Sequence, residues 1–304
     1  MRLLVIGGGG QLGTKIVEKA KDRFQVYATY LTRKPPLNQS NTFQTDKTNR
    51  EDVLTLFQRL RPEVVIDTAA LHNVDYCETH KAEARLANFE GTRNIAEACR
   101  NHNARMIFIS TDYVFDGVKG NYTEDDDTNP VNYYGTTKLE GEKAVAQICP
   151  NHVIARPSVI YGYVSSVQRE SSSGKPLNFA IWLAQKLRNN EPVKIVNDQY
   201  SSPTLADNLA DIVLELTESG KTGTYHTAGK TRLSRHDFAV KIAQKLNFDQ
   251  KLITPTETGQ LKQLAKRPMD SSLKVEKIEK DLGVRMLTID EALDRFREQF
   301  VNGE

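Results

Sequence analysis

A chain of 304 residues suffices for one large domain, or for one domain with a smaller lobe. The formal charge is only +2 and the cations are scattered among acids, which argues against a nucleic-acid partner. Cys77, Cys99 and Cys149 stand far apart without metal-ligand spacing, and no run approaches the ~18 apolar residues that span a bilayer. The reading is a cytoplasmic protein with no membrane partner and no metal ligands.

Residues 3–6 (LLVI) form a first strand that runs straight into glycines, without the apolar core or cleavage site of a signal peptide. Residues 12–21 carry helical periodicity, 25–30 read as a second strand, and 41–44 as a third, strand-like segment. A helix spans 50–60, with apolar Val53, Leu54, Phe57 and Leu60. Then come a strand at 64–66, one or two helices over 82–102, a strand at 106–109, a long helix over 134–148 and a strand at 152–155. Continuous Val/Ile strands separated by helices predict an α/β fold, a doubly wound parallel sheet covered on both faces.

The character changes after Pro157. Residues 165–176 (SSVQRESSSGKP) read as a polar loop, and helices at 179–187, 205–216, 235–246 and 289–300 alternate with strands at 193–195 and 224–226. The expected organisation is a first domain over 1–157, with later segments of about 190–228 completing its sheet. Residues 158–304 would form mainly a smaller C-terminal α/β lobe for substrate.

Directly after the first strand stands Gly7-Gly8-Gly9-Gly10-Gln11-Leu12-Gly13. It reads as G-x-G-x-x-G from Gly8, Gly10 and Gly13, or as G-x-x-G-x-x-G from Gly7, Gly10 and Gly13. In either register one glycine permits the tight turn, one lets the backbone approach a pyrophosphate, and one lets helix and strand pack closely. The helix behind it offers free N–H groups and the positive end of its dipole to phosphate. An ordinary turn can also hold glycines, but strand, turn and helix together point to a Rossmann fold with a bound dinucleotide. The second strand ends Thr29-Tyr30-Leu31-Thr32-Arg33-Lys34, with no acid to take a ribose 2′-hydroxyl. Arg33 and Lys34 stand where a 2′-phosphate would lie, so NADP(H) is favoured. NAD(H), with these residues as a plain basic loop, stays open.

Tyr134 and Lys138 are four residues apart on one helical face. A free phenol, with a pKa of about 10, is a poor proton carrier at neutral pH, and a neighbouring ammonium stabilises the phenolate. A hydroxyl for the same substrate oxygen is available in Ser110-Thr111-Asp112, directly after a buried strand. The pattern also fits an exposed helical pair, but the order glycine turn, hydroxyl, Tyr and Lys points to catalysis.

These features resemble the extended short-chain dehydrogenase/reductase family and, within it, the dTDP-4-dehydrorhamnose reductase group. Further matching blocks are 67–78 (DTAALHNVDYCE), 110–117 (STDYVFDG), 134–142 (YGTTKLEGE), Arg156-Pro157 with Tyr161-Gly162, Asp198-Gln199 with Ser202-Pro203-Thr204, and Arg267-Pro268, so that the likeness covers essentially the whole chain. The resemblance implies that Gly10, Gln11 and Leu12 contact the pyrophosphate, that Asp46 and Lys47 flank the adenine, and that Thr68, Ala69, Ala70 and Ser110 line the cofactor. It makes Tyr134 the proton donor, Lys138 the residue that holds the nicotinamide ribose and tunes Tyr134, and Thr111 the hydroxyl that polarises the carbonyl. Asp112, Asn178 and Arg267 would meet a nucleotide-sugar substrate, Arg267 at its diphosphate. The implied reaction is NADPH-dependent reduction of the 4-keto group of a nucleotide-linked deoxysugar.

One departure stands out. The group's reductases carry a Trp in R-x-x-W-x-Y-G, whereas residues 156–162 read RPSVIYG, with Val159 and Ile160 in that region, and the one Trp is Trp182. Two other readings share the motifs. The regulatory β subunit of methionine adenosyltransferase has this fold, binds NADP and keeps a similar YGKTKLDGE stretch; nucleotide-sugar epimerases retain an NAD. The sequence leaves a homodimer, and a Mg2+ ion between subunits, open.

Overall fold

The computed structural model describes residues 1–163 and 178–302; the polar loop expected at 165–176 lies outside the described residues. β1 (Arg2–Ile6) leads through the glycine turn into α1 (Gln11–Ala20), followed by β2 (Gln25–Tyr30) and β3 (Thr42–Gln44). Leu3 and Val5 pack on one side of the sheet and Leu4 and Ile6 on the other, the period of two of a strand covered on both faces. α2 (Arg50–Leu60) starts at Asn49, whose side chain accepts the N–H groups of Glu51 and Asp52, two acids suited to the positive helix end. Next come β4 (Val64–Asp67), α3 (Val74–Thr79), α4 (Lys81–Arg85), α5 (Gly91–Asn101), β5 (Arg105–Ile109), α6 (Tyr133–Ile148) and β6 (His152–Arg156).

The helical stretch expected over 82–102 is two helices joined by a π turn, Leu86–Glu90. Buried Asn88 in that turn clamps the Leu71 backbone, accepting its N–H at 2.8 Å and donating to its carbonyl at 3.0 Å. Such tertiary bonds are what a wider turn can be spent on.

The second half contributes β7 (Ile160–Tyr161), α7 (Phe179–Arg188), β8 (Val193–Val196), β9 (Tyr200–Ser201), β10 (Thr204–Leu205) and α8 (Ala206–Glu218). Beyond these lie β11 (Gly223–His226), β12 (Leu233–Ser234), α9 (Arg235–Lys245), β13 (Ile253–Thr256), α10 (Glu276–Leu282) and α11 (Ile289–Asn302). The central sheet has seven parallel strands in the order β3-β2-β1-β4-β5-β6-β11. Of the 190–228 stretch, β11 joins this sheet beside β6, while β8 pairs with β13 outside it. α1 and α8 cover one face, and α2, α5 and α6 the other. α1 and α8 run side by side, and a ladder of ion pairs ties them: Lys15–Asp207, Lys19–Asp211 and, just past α1, Arg23–Glu215.

The smaller lobe has its own apolar core, in which α7, α9 and α11 pack around Tyr161, Phe238 and Phe296. Strand order reverses between β1 and β4, and the crevice outside the carboxyl ends of these strands is where such sheets bind ligands.

Candidate active site

The glycine turn lies at that reversal. Gly7 has φ of +81°, a conformation strained for any side chain, and its carbonyl accepts the Gly10 N–H at 3.0 Å. A Cβ on Gly13 would come 2.3 Å from the Gly7 carbonyl oxygen, so α1 packs against the turn only because that position is glycine. α1 has no side-chain cap, which leaves its first N–H groups free for an anion. The Gln11 amide nitrogen is buried without a partner among the described residues, while the Leu12 side chain lies in the core, so Leu12 can meet a ligand only through its backbone.

The loop after β4 forms the facing wall. Thr68 Oγ1 donates to the Ile6 carbonyl at 2.8 Å, and a Cβ on Gly7 would come within 3.0 Å of the Ala69 Cβ. Ala70 follows, partly exposed. On the other side the Arg33 carbonyl lies so close to Gly9 that a Cβ there would approach it to 1.9 Å. Lys34 is exposed, its ammonium 6.0 Å from the Tyr30 ring centroid. The Asp46 carboxylate accepts the Thr48 N–H. Lys47 turns inward: its ammonium donates to both Asp67 oxygens, the Ala69 carbonyl and Thr92 Oγ1.

Thr111, Tyr134 and Lys138, the trio expected from the sequence, stand just after β5 and in the first turns of α6. Asn132 caps α6, accepting the Gly135 N–H at 2.9 Å. A Cβ on Gly135 would meet the Tyr113 carbonyl at 2.1 Å, so the helix start lies flush on the segment after β5. That contact sets Tyr134 in the neighbourhood of Thr111, and the Tyr113 ring stands edge-on to it at 6.1 Å. One turn on, Lys138 is buried, donates to the Ile109 carbonyl at 2.7 Å and lies 4.0 Å from the Phe108 ring centroid.

Electrostatics here differ from the sequence expectation. Burial raises the Tyr134 phenol well above its ordinary value, opposed by the Thr111 hydrogen bond, rather than lowering it. Lys138 is pushed down to about 7, first by burial and then by the charge of Lys47, with Asp67 and Glu142 opposing. At neutral pH the phenol therefore keeps its proton, which is the form a proton donor requires.

Several residues with expected ligand roles are engaged by the protein itself. Ser110 Oγ donates to Glu142, which also accepts two bonds from Arg156 in a buried network. The buried Asp112 carboxylate accepts from Thr111, Ser158 and Ser271. Asn178 caps α7, accepting the Ile181 N–H and donating to the Gly162 carbonyl. The Arg267 guanidinium donates to Asp75 at 3.0 Å and to the Ala265 carbonyl. Arg235, at the start of α9, escaped the sequence reading. Its guanidinium lies 5.0 Å from the Phe179 ring centroid; burial raises the Tyr113 phenol, and the charges of Arg235 and Arg267 oppose that rise. A lone Arg at a helix start carries no motif that would have revealed it. Val159, where the resembling reductases carry Trp, has φ of +41°, a strained backbone for a β-branched residue.

A parallel sheet with a glycine turn at its reversal, and Thr, Tyr and Lys at the end of the neighbouring strand, define an NAD(P)-dependent oxidoreductase of the short-chain dehydrogenase/reductase type. More narrowly, the chain belongs to the family described as the RmlD substrate binding domain, which it matches over residues 1–302. It is 31% identical to the dTDP-4-dehydrorhamnose reductase of Aggregatibacter actinomycetemcomitans, over 97% of this chain and 98% of that one. The crystal structure of dTDP-4-dehydrorhamnose reductase from Bacillus anthracis in complex with NADP superposes with a TM-score of 0.86 at 28% identity, covering 99% of each chain. A dTDP-4-dehydrorhamnose reductase structure from Clostridium acetobutylicum gives a TM-score of 0.87 at 33% identity, covering 99% of this chain and 100% of that one.

Proposed function

We propose that this protein reduces the 4-keto group of a nucleotide-linked deoxysugar, dTDP-4-dehydrorhamnose or a close relative, with NADPH. The observation that carries this reading is the placement of Thr111, Tyr134 and Lys138 around the carboxyl end of β5, on the same edge of the parallel sheet as the glycine turn after β1. The trough fits a dinucleotide: glycines keep its floor free of side chains, free helix N–H groups face it, and a buried Gln11 amide awaits an acceptor. Arg33 and Lys34, with no acid at the end of β2, suit a 2′-phosphate, in keeping with the NADP held by the Bacillus relative.

Bound NADPH supplies the hydride. The Thr111 hydroxyl turns its one proton from Asp112 to the sugar carbonyl oxygen, and Tyr134 protonates that oxygen. Lys138, anchored on the Ile109 carbonyl, steadies the resulting phenolate and holds a ribose hydroxyl. Arg267 and Arg235 supply positive charge for the substrate diphosphate. Three free, buried thiols, Cys77, Cys99 and Cys149, suit a cytoplasmic setting, and among the described residues no helix is long and apolar enough to cross a membrane.

The test is loss of NADPH absorbance on mixing purified protein, cofactor and dTDP-4-keto-6-deoxysugar. Net oxidation is expected, falling about 10²- to 10⁴-fold in Tyr134→Phe. An unaltered protein that consumes no NADPH would overturn the reading in favour of a regulatory subunit. Sugar isomerised without net NADPH loss would overturn it in favour of an epimerase.

A further inference from the structure

The Lys47 ammonium is an expensive thing to bury, and nothing in the catalytic chemistry just described uses it. Its three N–H bonds are shared among four protein acceptors: Asp67 Oδ2 at 2.9 Å, Asp67 Oδ1 and Thr92 Oγ1 at 3.2 Å, and the Ala69 carbonyl at 2.6 Å. No donor is left over for a ligand. The surroundings are shaped to it. Gly91 makes room for the stem, since a Cβ there would lie 2.8 Å from Lys47 Cγ. Asn94 holds the Lys47 carbonyl at 3.0 Å, and Thr92 also donates to Asp67.

Stability does not account for this arrangement. A buried ion pair replaced by well-packed apolar residues of similar volume commonly leaves a protein as stable or more so. What an apolar pair lacks is direction. Asp67 Oδ1 accepts the Ala69 N–H at 3.1 Å while Lys47 binds the Ala69 carbonyl, so both polar groups of one residue's backbone are fixed. Ala69 in turn lies against Gly7, and its neighbour Thr68 is pinned to the Ile6 carbonyl by both its N–H and its hydroxyl.

We propose that the Lys47–Asp67 pair is a positioning device for the dinucleotide: it fixes the Ala69 backbone and thereby the wall of the trough that faces the glycine turn. The two charges act on Lys138 in opposite senses, Lys47 lowering its pKa and Asp67 raising it, so what the pair adds as a unit is chiefly geometry. Lys47 is then a positioning residue and not a contact of the adenine. The inference rests on the reading that the trough holds NADP(H).

The test compares the unaltered protein with Lys47→Met/Asp67→Leu and with Thr92→Val, which leaves Lys47 three of its four acceptors. Calorimetric Kd for NADPH, KM and kcat are read beside the melting temperature. The double variant is expected to melt no lower than the parent yet to bind NADPH about tenfold more weakly, with KM for the cofactor rising more than kcat falls. Thr92→Val should weaken binding about twofold. Parent-like NADPH affinity in a folded double variant overturns the proposal. If the double variant does not fold, unchanged affinity in Thr92→Val overturns it. A parent that binds no NADPH overturns instead the functional reading on which the proposal rests.

Discussion

The two lobes treat charge in opposite ways. In the sheet domain, Arg156 and Glu142 face each other inside the protein, at 7% and 4% side-chain exposure, and Lys47 with Asp67 is equally enclosed. In the smaller lobe the interior is aliphatic and aromatic, with Tyr161 edge-on to Phe238 and Phe296, and the ion pairs between α9 and α11 lie at the surface. Burying an ion pair is costly unless its geometry is good and its remaining hydrogen bonds are met. The contrast teaches that the ends of the sheet strands, where individual hydroxyls and backbone groups must be aimed, use directional bonds. The smaller lobe needs only shape, and apolar packing provides it.

The largest expected effect is in the sheet domain. Arg156→Met leaves the Glu142 carboxylate buried with only Ser110 as a donor, and should cost about 4 kcal/mol in denaturant melts while lowering turnover, because Ser110 adjoins Thr111. A loss under about 1 kcal/mol would break the contrast. In the smaller lobe, Leu293→Ala should cost about 3 kcal/mol through the cavity it leaves, with NADPH affinity unchanged by calorimetry. A change in cofactor binding would show that the lobes are not separate in this sense. Smallest is Lys245→Ala, which opens the half-exposed pair with Asp294; the expected loss is below about 1 kcal/mol and shrinks further as salt is added.

What the sequence disclosed follows from how local each signal is. β1, the glycine turn and α6 were legible because a continuous apolar run, a strand–turn–helix order and a four-residue spacing are all read within a few turns of chain. The fate of Lys47 and Asp112 was not, because each side chain's direction is set by distant partners. Asp67 lies 20 residues from Lys47, and Ser271 lies 159 residues from Asp112. β7, β9, β10 and β12 are two residues long and carry no periodicity. Asn178 did carry a local signal, since an Asn directly before an apolar helix is a cap, and the structure places it there.

The central sheet is not built from one continuous length of chain. β11, which closes the sheet beside β6, and α8, which rides on α1 through its ladder of ion pairs, are both encoded beyond residue 200. During synthesis the earlier strands must therefore wait, one sheet edge bare and one face of α1 uncovered, until about three quarters of the protein has left the ribosome. A cut between the lobes would yield no autonomous half, and a premature stop shortly after α6 would leave a sticky fragment rather than a smaller working domain.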